Sequence, residues 1–118
     1  MSTINARQNV ARSEARSGRN LTILSMDHCI PVPKAPAGTS FDADERKTWR
    51  ELWKGPVAQI WDESYIPAVA TYVLLTHKLY QGQGTAWVAS EQRALGDSLG
   101  LSPKGLKALG FSIEGMPS

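Results

Sequence analysis

The longest mostly apolar stretch of the chain covers residues 65–80, with the sequence YIPAVATYVLLTHKLY. Within it, Val69, Tyr72, Val73 and Thr76 recur at intervals of three and four residues, which places them along one side of a helix. Polar and charged positions interrupt the run, and it is shorter than the roughly 20 apolar residues that a membrane-spanning helix needs. The pattern therefore predicts a central helix that belongs to a protein core.

A second amphipathic pattern precedes the central helix. Trp49, Leu52 and Trp53 have the spacing of one helix face. Asp42 and Glu45 stand three residues apart, which is the spacing of a capping box with Asp in place of Ser or Thr. The pattern predicts a helix that begins at Ser40 or Asp42 and that ends or bends at Gly55 and Pro56.

Glycine, serine and proline positions predict the elements after the central helix. Gly82 and Gly84 permit the backbone reversal that leads into a returning helix over residues 85–99. Ser102 and Pro103 fit the N-cap and first position of a last short helix. Together with the two earlier patterns, these signals predict an all-α fold, a small antiparallel helical hairpin or bundle of about four helices.

Residues 1–20 lack apolar periodicity, and we expect them to be disordered when free. They carry basic side chains at Arg7, Arg12, Arg16 and Arg19. Because each phosphate that a basic side chain neutralises releases counterions, such an arm suits binding to the DNA backbone. A solvated tail without a partner is the alternative.

The next stretch connects this arm to the helices. Residues 21–30, LTILSMDHCI, form either an extended segment that lies on a neighbouring subunit or a short helix. Three prolines within residues 31–36 then predict a stiff, extended linker, because proline fixes its own φ and disfavours helix before it. The predicted division is a basic flexible arm with its linker over residues 1–40 and a helical oligomerisation domain over residues 41–118.

Aromatic residues are concentrated in the helical part of the chain, since all four Trp and all three Tyr follow residue 48. In a domain of roughly 80 residues, a single hydrophobic core contributes only about 3–5 kcal/mol to the free energy of unfolding without further support. The single cysteine, Cys29, excludes a disulfide within the chain. We therefore expect copies of the chain to associate, with part of the aromatic surface between them. The residues expected at this interface are Trp49, Trp53, Trp61, Tyr72 and Trp87.

The candidate chemistry favours a binding protein over an enzyme. The GQGT turn lacks the G-x-x-x-x-G-K-[ST] pattern of a phosphate-binding loop. His28, Cys29 and His77 are too few for a structural zinc site, which takes four ligands. We expect no catalytic residue, no metal and no cofactor. A lone cysteine and the lack of an apolar signal segment fit a reducing cytoplasm.

Several motifs follow one another in a recognisable order. They are the tract RSEARSGRN, the linker PVPKAPAG, the helix with Trp49 and Trp53, the segment GPVAQIW, the stretch EQRALGDSLGLSPKGLKAL and the closing FSIE. This order resembles the small subunit of tailed-phage terminases, in the compact form found in phages of actinobacteria. The resemblance covers most of residues 31–114. Relative to longer forms, the connection between the two main helices is reduced to about QGQGT, and no helix-turn-helix precedes the proline linker.

The resemblance implies a DNA-packaging component without enzymatic activity in the cytoplasm of the host cell. Such subunits assemble into rings, bind the packaging site on double-stranded phage DNA, and load and stimulate a terminase large subunit that holds the ATPase and nuclease. With that function, the candidate DNA-binding residues are Arg7, Arg12, Arg16, Arg19, Lys104 and Lys107.

Two other functions are compatible with the residues. A helical DNA-binding transcription regulator would bind as a dimer to two half-sites of a palindrome. A protein-interaction module would have no nucleic-acid role, and Lys104 and Lys107 would then be solvated charges. In the packaging hypothesis the same two lysines contact DNA or the large subunit.

Overall fold

The computed structural model describes residues 21–115 of the 118-residue chain. Helices dominate this part of the protein, as the sequence predicts. The four α-helices are α1 (Ala43–Lys54), α2 (Ile66–Tyr80), α3 (Ala86–Leu99) and α4 (Pro103–Ala108), and two 3-10 helices, Pro56–Ile60 and Glu63–Tyr65, connect α1 to α2.

The predicted capping box at the start of α1 is confirmed. The backbone N–H of Glu45 donates to Asp42 Oδ1 over 2.8 Å, and the backbone N–H of Asp42 donates to Glu45 Oε1 over 2.9 Å. These bonds satisfy two groups that would otherwise lack partners near the helix N-terminus. Gly55 caps the other end of α1.

The central helix and the returning helix form the predicted antiparallel hairpin. The two meet along their length, since Gln92 Nε2 donates to Thr76 Oγ1 over 3.1 Å, and the Gly96 backbone lies against the ring of Tyr72. Gly82 makes the reversal with a φ of 74°, a conformation that favours glycine. The two helices therefore run antiparallel.

A cluster of tryptophans lies at the centre of the core. The rings of Trp53 and Trp61 meet edge to face with centroids 5.0 Å apart, and Trp49 packs on Trp53 at 5.7 Å. All three are buried, with at most 5% of the side chain exposed. Such aromatic pairs contribute about 0.5–1.5 kcal/mol beyond the area that they bury.

A two-stranded parallel sheet joins the two ends of the described chain, which the sequence analysis did not predict. Strand β1 (Thr22–Leu24) pairs with strand β2 (Phe111–Ile113), and Leu24 lies opposite Ile113. Leu24 is 1% exposed and belongs to the core. Residues 21–24 are therefore an extended segment, as one of the two alternatives had it, but the segment packs on its own chain.

The predicted linker is also part of the packed unit. Trp49 Nε1 donates to the backbone carbonyl of Pro33 over 2.9 Å, and the His28 imidazole is hydrogen-bonded to the carbonyl of Gly55 at 2.7 Å. Val32 and Ala35 pack against the core cluster. Parts of the stretch between Leu24 and Ala35 thus pack on the helices of the same chain.

Among the described residues, we find no helix that combines the length and the apolar character needed to cross a lipid bilayer.

Candidate functional site

Three of the predicted interface residues, Trp49, Trp53 and Trp61, lie inside one copy of the chain. Trp61 is 1% exposed, and its indole N–H donates to the carbonyl of Leu99. Phe41 covers Trp49, with ring centroids 5.7 Å apart. These three indoles therefore need no second copy to cover them, because the linker and the chain's own helices enclose them.

Tyr72 is half-buried between α2 and α3. A Cβ built on Gly96 would lie 3.2 Å from the Tyr72 ring. The absence of a side chain at Gly96 therefore leaves room for the phenol between the two helices. Burial raises the pKa of Tyr72 above its ordinary value of 10.0. This residue contributes to the contact between two helices of the same chain.

Trp87, the remaining tryptophan, is on the surface. It lies in the first turn of α3 and is 68% exposed, while Tyr80, the last residue of α2, is 77% exposed. Residues 81–85 connect the two. We call Tyr80, residues 81–85 and Trp87 the hairpin tip. Two large aromatic side chains left this exposed are a feature of interaction surfaces, where aromatic residues are enriched.

A second feature, an apolar groove, lies at the other end of α3. Its volume is ≈ 450 Å³, within the roughly 300–1,000 Å³ of typical small-molecule pockets. Strand β2, the residue before β1, the 3-10 helix Pro56–Ile60, the α3–α4 junction and α4 contribute to its wall. The lining residues are Leu21, Val57, Gly100, Leu101, Ser102, Pro103, Lys104, Leu106, Lys107, Phe111, Ser112 and Ile113.

The α3–α4 junction fixes the position of α4 along the groove. Gly100 ends α3 with a φ of 80°, and Ser102 caps α4 by accepting from the backbone N–H of Gly105 over 2.9 Å. The hydroxyl of Ser102 also donates to Asp97 Oδ1. Gly105 packs so closely on α3 that an added Cβ would overlap the carbonyl of Asp97. The short helix is thus held against the end of α3.

Lys104 and Lys107 lie on exposed positions of α4 and line the groove. Their spacing of three residues places both on one side of the helix. Within residues 21–115 neither lysine forms an ion pair, and the groove lining includes no acidic residue. The groove therefore combines an apolar floor with a positively charged rim.

No family model, curated protein or solved structure matches the chain.

The four predicted DNA-binding arginines, Arg7, Arg12, Arg16 and Arg19, lie outside the described residues. Within the described part, groups of three or more His, Cys, Asp or Glu side chains that could hold a metal ion are not found. The described surface has two exposed features, an aromatic tip at one end of α3 and an apolar groove with a basic rim at the other.

The sequence analysis missed the groove because its wall comes from both ends of the described chain. Leu21 and Ile113 meet there only through the pairing of β1 with β2. It also missed Glu91, which stands one helical turn after Trp87 on the same face of α3. The i, i+4 spacing of Trp87 and Glu91 in the sequence could have shown that an aromatic ring and a carboxylate lie side by side on this helix.

Proposed function

We propose that this protein is a terminase small subunit of the compact type. In this function it oligomerises into a ring, binds double-stranded phage DNA at the packaging site through its basic N-terminal tract, and recruits or stimulates the terminase large subunit. The catalytic chemistry belongs to that partner, and the complex works in the cytoplasm of the host cell.

The structural observation that carries the proposal is the exposed aromatic pair of the hairpin tip. The chain buries its other three tryptophans in its own core. Trp87 and Tyr80, in contrast, remain exposed to solvent. Apolar surface of this kind favours association. The resemblance of the motif order to small terminase subunits then supports a ring as the form of that association.

The DNA-binding part of the proposal is supported by charge. Residues 1–20 contain four arginines and one acidic residue, Glu14. On duplex DNA, log affinity falls against log salt with a slope of about 0.9 per phosphate contacted. A full-length variant with Arg7, Arg12, Arg16 and Arg19 changed to glutamine should therefore bind DNA more weakly, with a slope reduced by about 2–4.

The matched control for the arginine variant is Lys47→Gln/Arg50→Gln, which removes two positive charges from the exposed face of α1. We expect the control to bind DNA with nearly the wild-type affinity and slope. Equal binding by the arginine variant and the wild type would remove the arm from the function. Sedimentation of both variants checks that the loss is not a loss of assembly.

The association part is tested by the mass of the wild-type particle at micromolar concentration. A closed assembly of several copies is the expected result. A single copy would contradict the ring, and a dimer that binds a palindromic site would favour the transcription regulator instead.

The observation that favours this second candidate is the α3–α4 junction, two helices joined by a three-residue turn with exposed lysines on the second.

A further inference from the structure

We propose that the hairpin tip of one copy binds in the apolar groove of the next copy, with Trp87 as the anchor. This inference rests on the proposed function, because it specifies the contact that builds the ring. It assigns Lys104 and Lys107 to the contact between copies rather than to DNA.

The position of the two features on α3 makes the contact one between copies. Trp87 is the second residue of α3, and Gly100, which follows its last residue, lines the groove. A helix of 14 residues is about 21 Å long at about 1.5 Å per residue. The tip therefore cannot reach the groove of its own chain while α3 stays helical, but it can reach that of a second copy.

The two surfaces match in polarity. An indole is a large apolar group, and the groove offers an apolar wall that includes Leu101, Leu106 and Phe111. The volume of ≈ 450 Å³ leaves room for such a group. Burying an aromatic side chain removes about 150–250 Å² of its surface from water.

The two surfaces also match in charge. Glu91 lies one turn from Trp87 on the same face of α3 and forms no ion pair among the described residues. With Trp87 seated in the groove, this carboxylate comes to the rim that carries Lys104 and Lys107. Opposite charges around an apolar anchor fix the orientation of a contact more than they strengthen it.

A tip-to-groove contact uses two different surfaces of the chain and is therefore head-to-tail. Repeating such a contact generates a ring when the rotation between copies closes. A symmetric contact in which two tips pack on each other would instead stop at a dimer. The tip-to-groove contact thus accounts for a ring, whereas the symmetric contact does not.

The experiment uses two full-length variants that are each defective in one surface. Trp87→Ala removes the anchor and leaves the groove intact, whereas Lys104→Glu/Lys107→Glu reverses the rim and leaves the tip intact. All three positions are exposed, so the fold is expected to survive, and circular dichroism verifies it. The control Lys47→Glu/Arg50→Glu applies the same charge change to α1.

We expect Trp87→Ala to weaken association about 30-fold or more, as removal of a central aromatic anchor does. The rim variant should also dissociate, and the α1 control should assemble like the wild type. An equimolar mixture of the two defective variants should form a 1:1 heterodimer in native mass spectrometry, because one intact tip and one intact groove remain. Adding Glu91→Lys to the rim variant should restore its own assembly.

The outcomes separate the inference from the function on which it rests. A wild-type protein that is a single copy overturns both the ring and the contact. A wild-type ring that survives either variant overturns the contact alone, as does a mixture in which the two variants stay monomeric. A rim variant that dissociates without rescue by Glu91→Lys also overturns the proposed charge match.

Discussion

Trp61 and Leu99 are joined by a buried hydrogen bond in which the indole Nε1–H of Trp61 donates to the backbone carbonyl of Leu99 over 2.9 Å. Leu99 is the last residue of α3, where carbonyl groups have no partner within the helix. The indole therefore satisfies a helix end from inside the core. The same bond connects the end of the 3-10 helix Pro56–Ile60 to the α3–α4 junction, which lines the groove.

This bond predicts a difference between two buried tryptophans. Trp61→Phe leaves the Leu99 carbonyl without its indole donor and should lower the free energy of unfolding by about 1–3 kcal/mol beyond the loss of ring volume. Trp53→Phe is the matched control, because Trp53 Nε1 is buried without a partner in the described part of the chain. Urea denaturation of both variants measures the difference. Equal losses would show that the hydrogen bond contributes nothing.

The close approach of α4 to α3 predicts that Gly105 tolerates no side chain. In Gly105→Ala the added Cβ would overlap the carbonyl of Asp97, so the backbone must move, and overpacking of this kind costs about 1–3 kcal/mol. Arg93→Ala, at an exposed position of α3, is the control and should change stability by less than about 0.5 kcal/mol. Thermal unfolding of the two variants distinguishes them. Similar midpoints would mean that the helices separate without cost.

The helices and several of their ends could be predicted because their signals are local. Asp42 with Glu45, and Ser102 with Pro103, carry the cap chemistry within four residues of sequence. The sheet could not be predicted in the same way. Its strands have three residues each, too few for an alternating pattern, and the partners Leu24 and Ile113 lie at opposite ends of the described chain.

The position of the tryptophans depends on contacts that no local pattern reports. Trp49 is covered by Phe41 and donates a hydrogen bond to the carbonyl of Pro33, which belongs to the stretch that the sequence analysis assigned to a linker. Once that stretch packs on the core, a single copy encloses the indole. Trp87 has the same residue type but lies on the solvent side of α3, so residue type alone does not separate core from surface.

The hydrogen bonds of His28 predict that it holds residues 28–30 against the end of α1. Its Nδ1 accepts from the backbone N–H of Ile30 over 3.2 Å, so Nε2 carries the proton and donates to the Gly55 carbonyl over 2.7 Å. His28→Ala removes both bonds. We expect the Ile30 amide to exchange with solvent about tenfold faster or more, which corresponds to about 1.4 kcal/mol. Cys29→Ala at the exposed neighbouring position should leave that rate unchanged, and an equal acceleration in this control would argue against the role of His28.

Burial of the Tyr72 phenol predicts a loss of stability in alkaline solution. Its pKa is raised in the folded protein, chiefly by burial, so above about pH 10 the unfolded chain gives up this proton more readily than the native protein does. The stabilising contribution is complete below the unfolded pKa and disappears as the pH rises through the folded pKa. In Tyr72→Phe the free energy of unfolding should therefore fall less steeply between about pH 9 and pH 11 than in the wild type. Denaturation at a series of pH values measures both slopes, and parallel curves would show that the Tyr72 proton is not linked to folding.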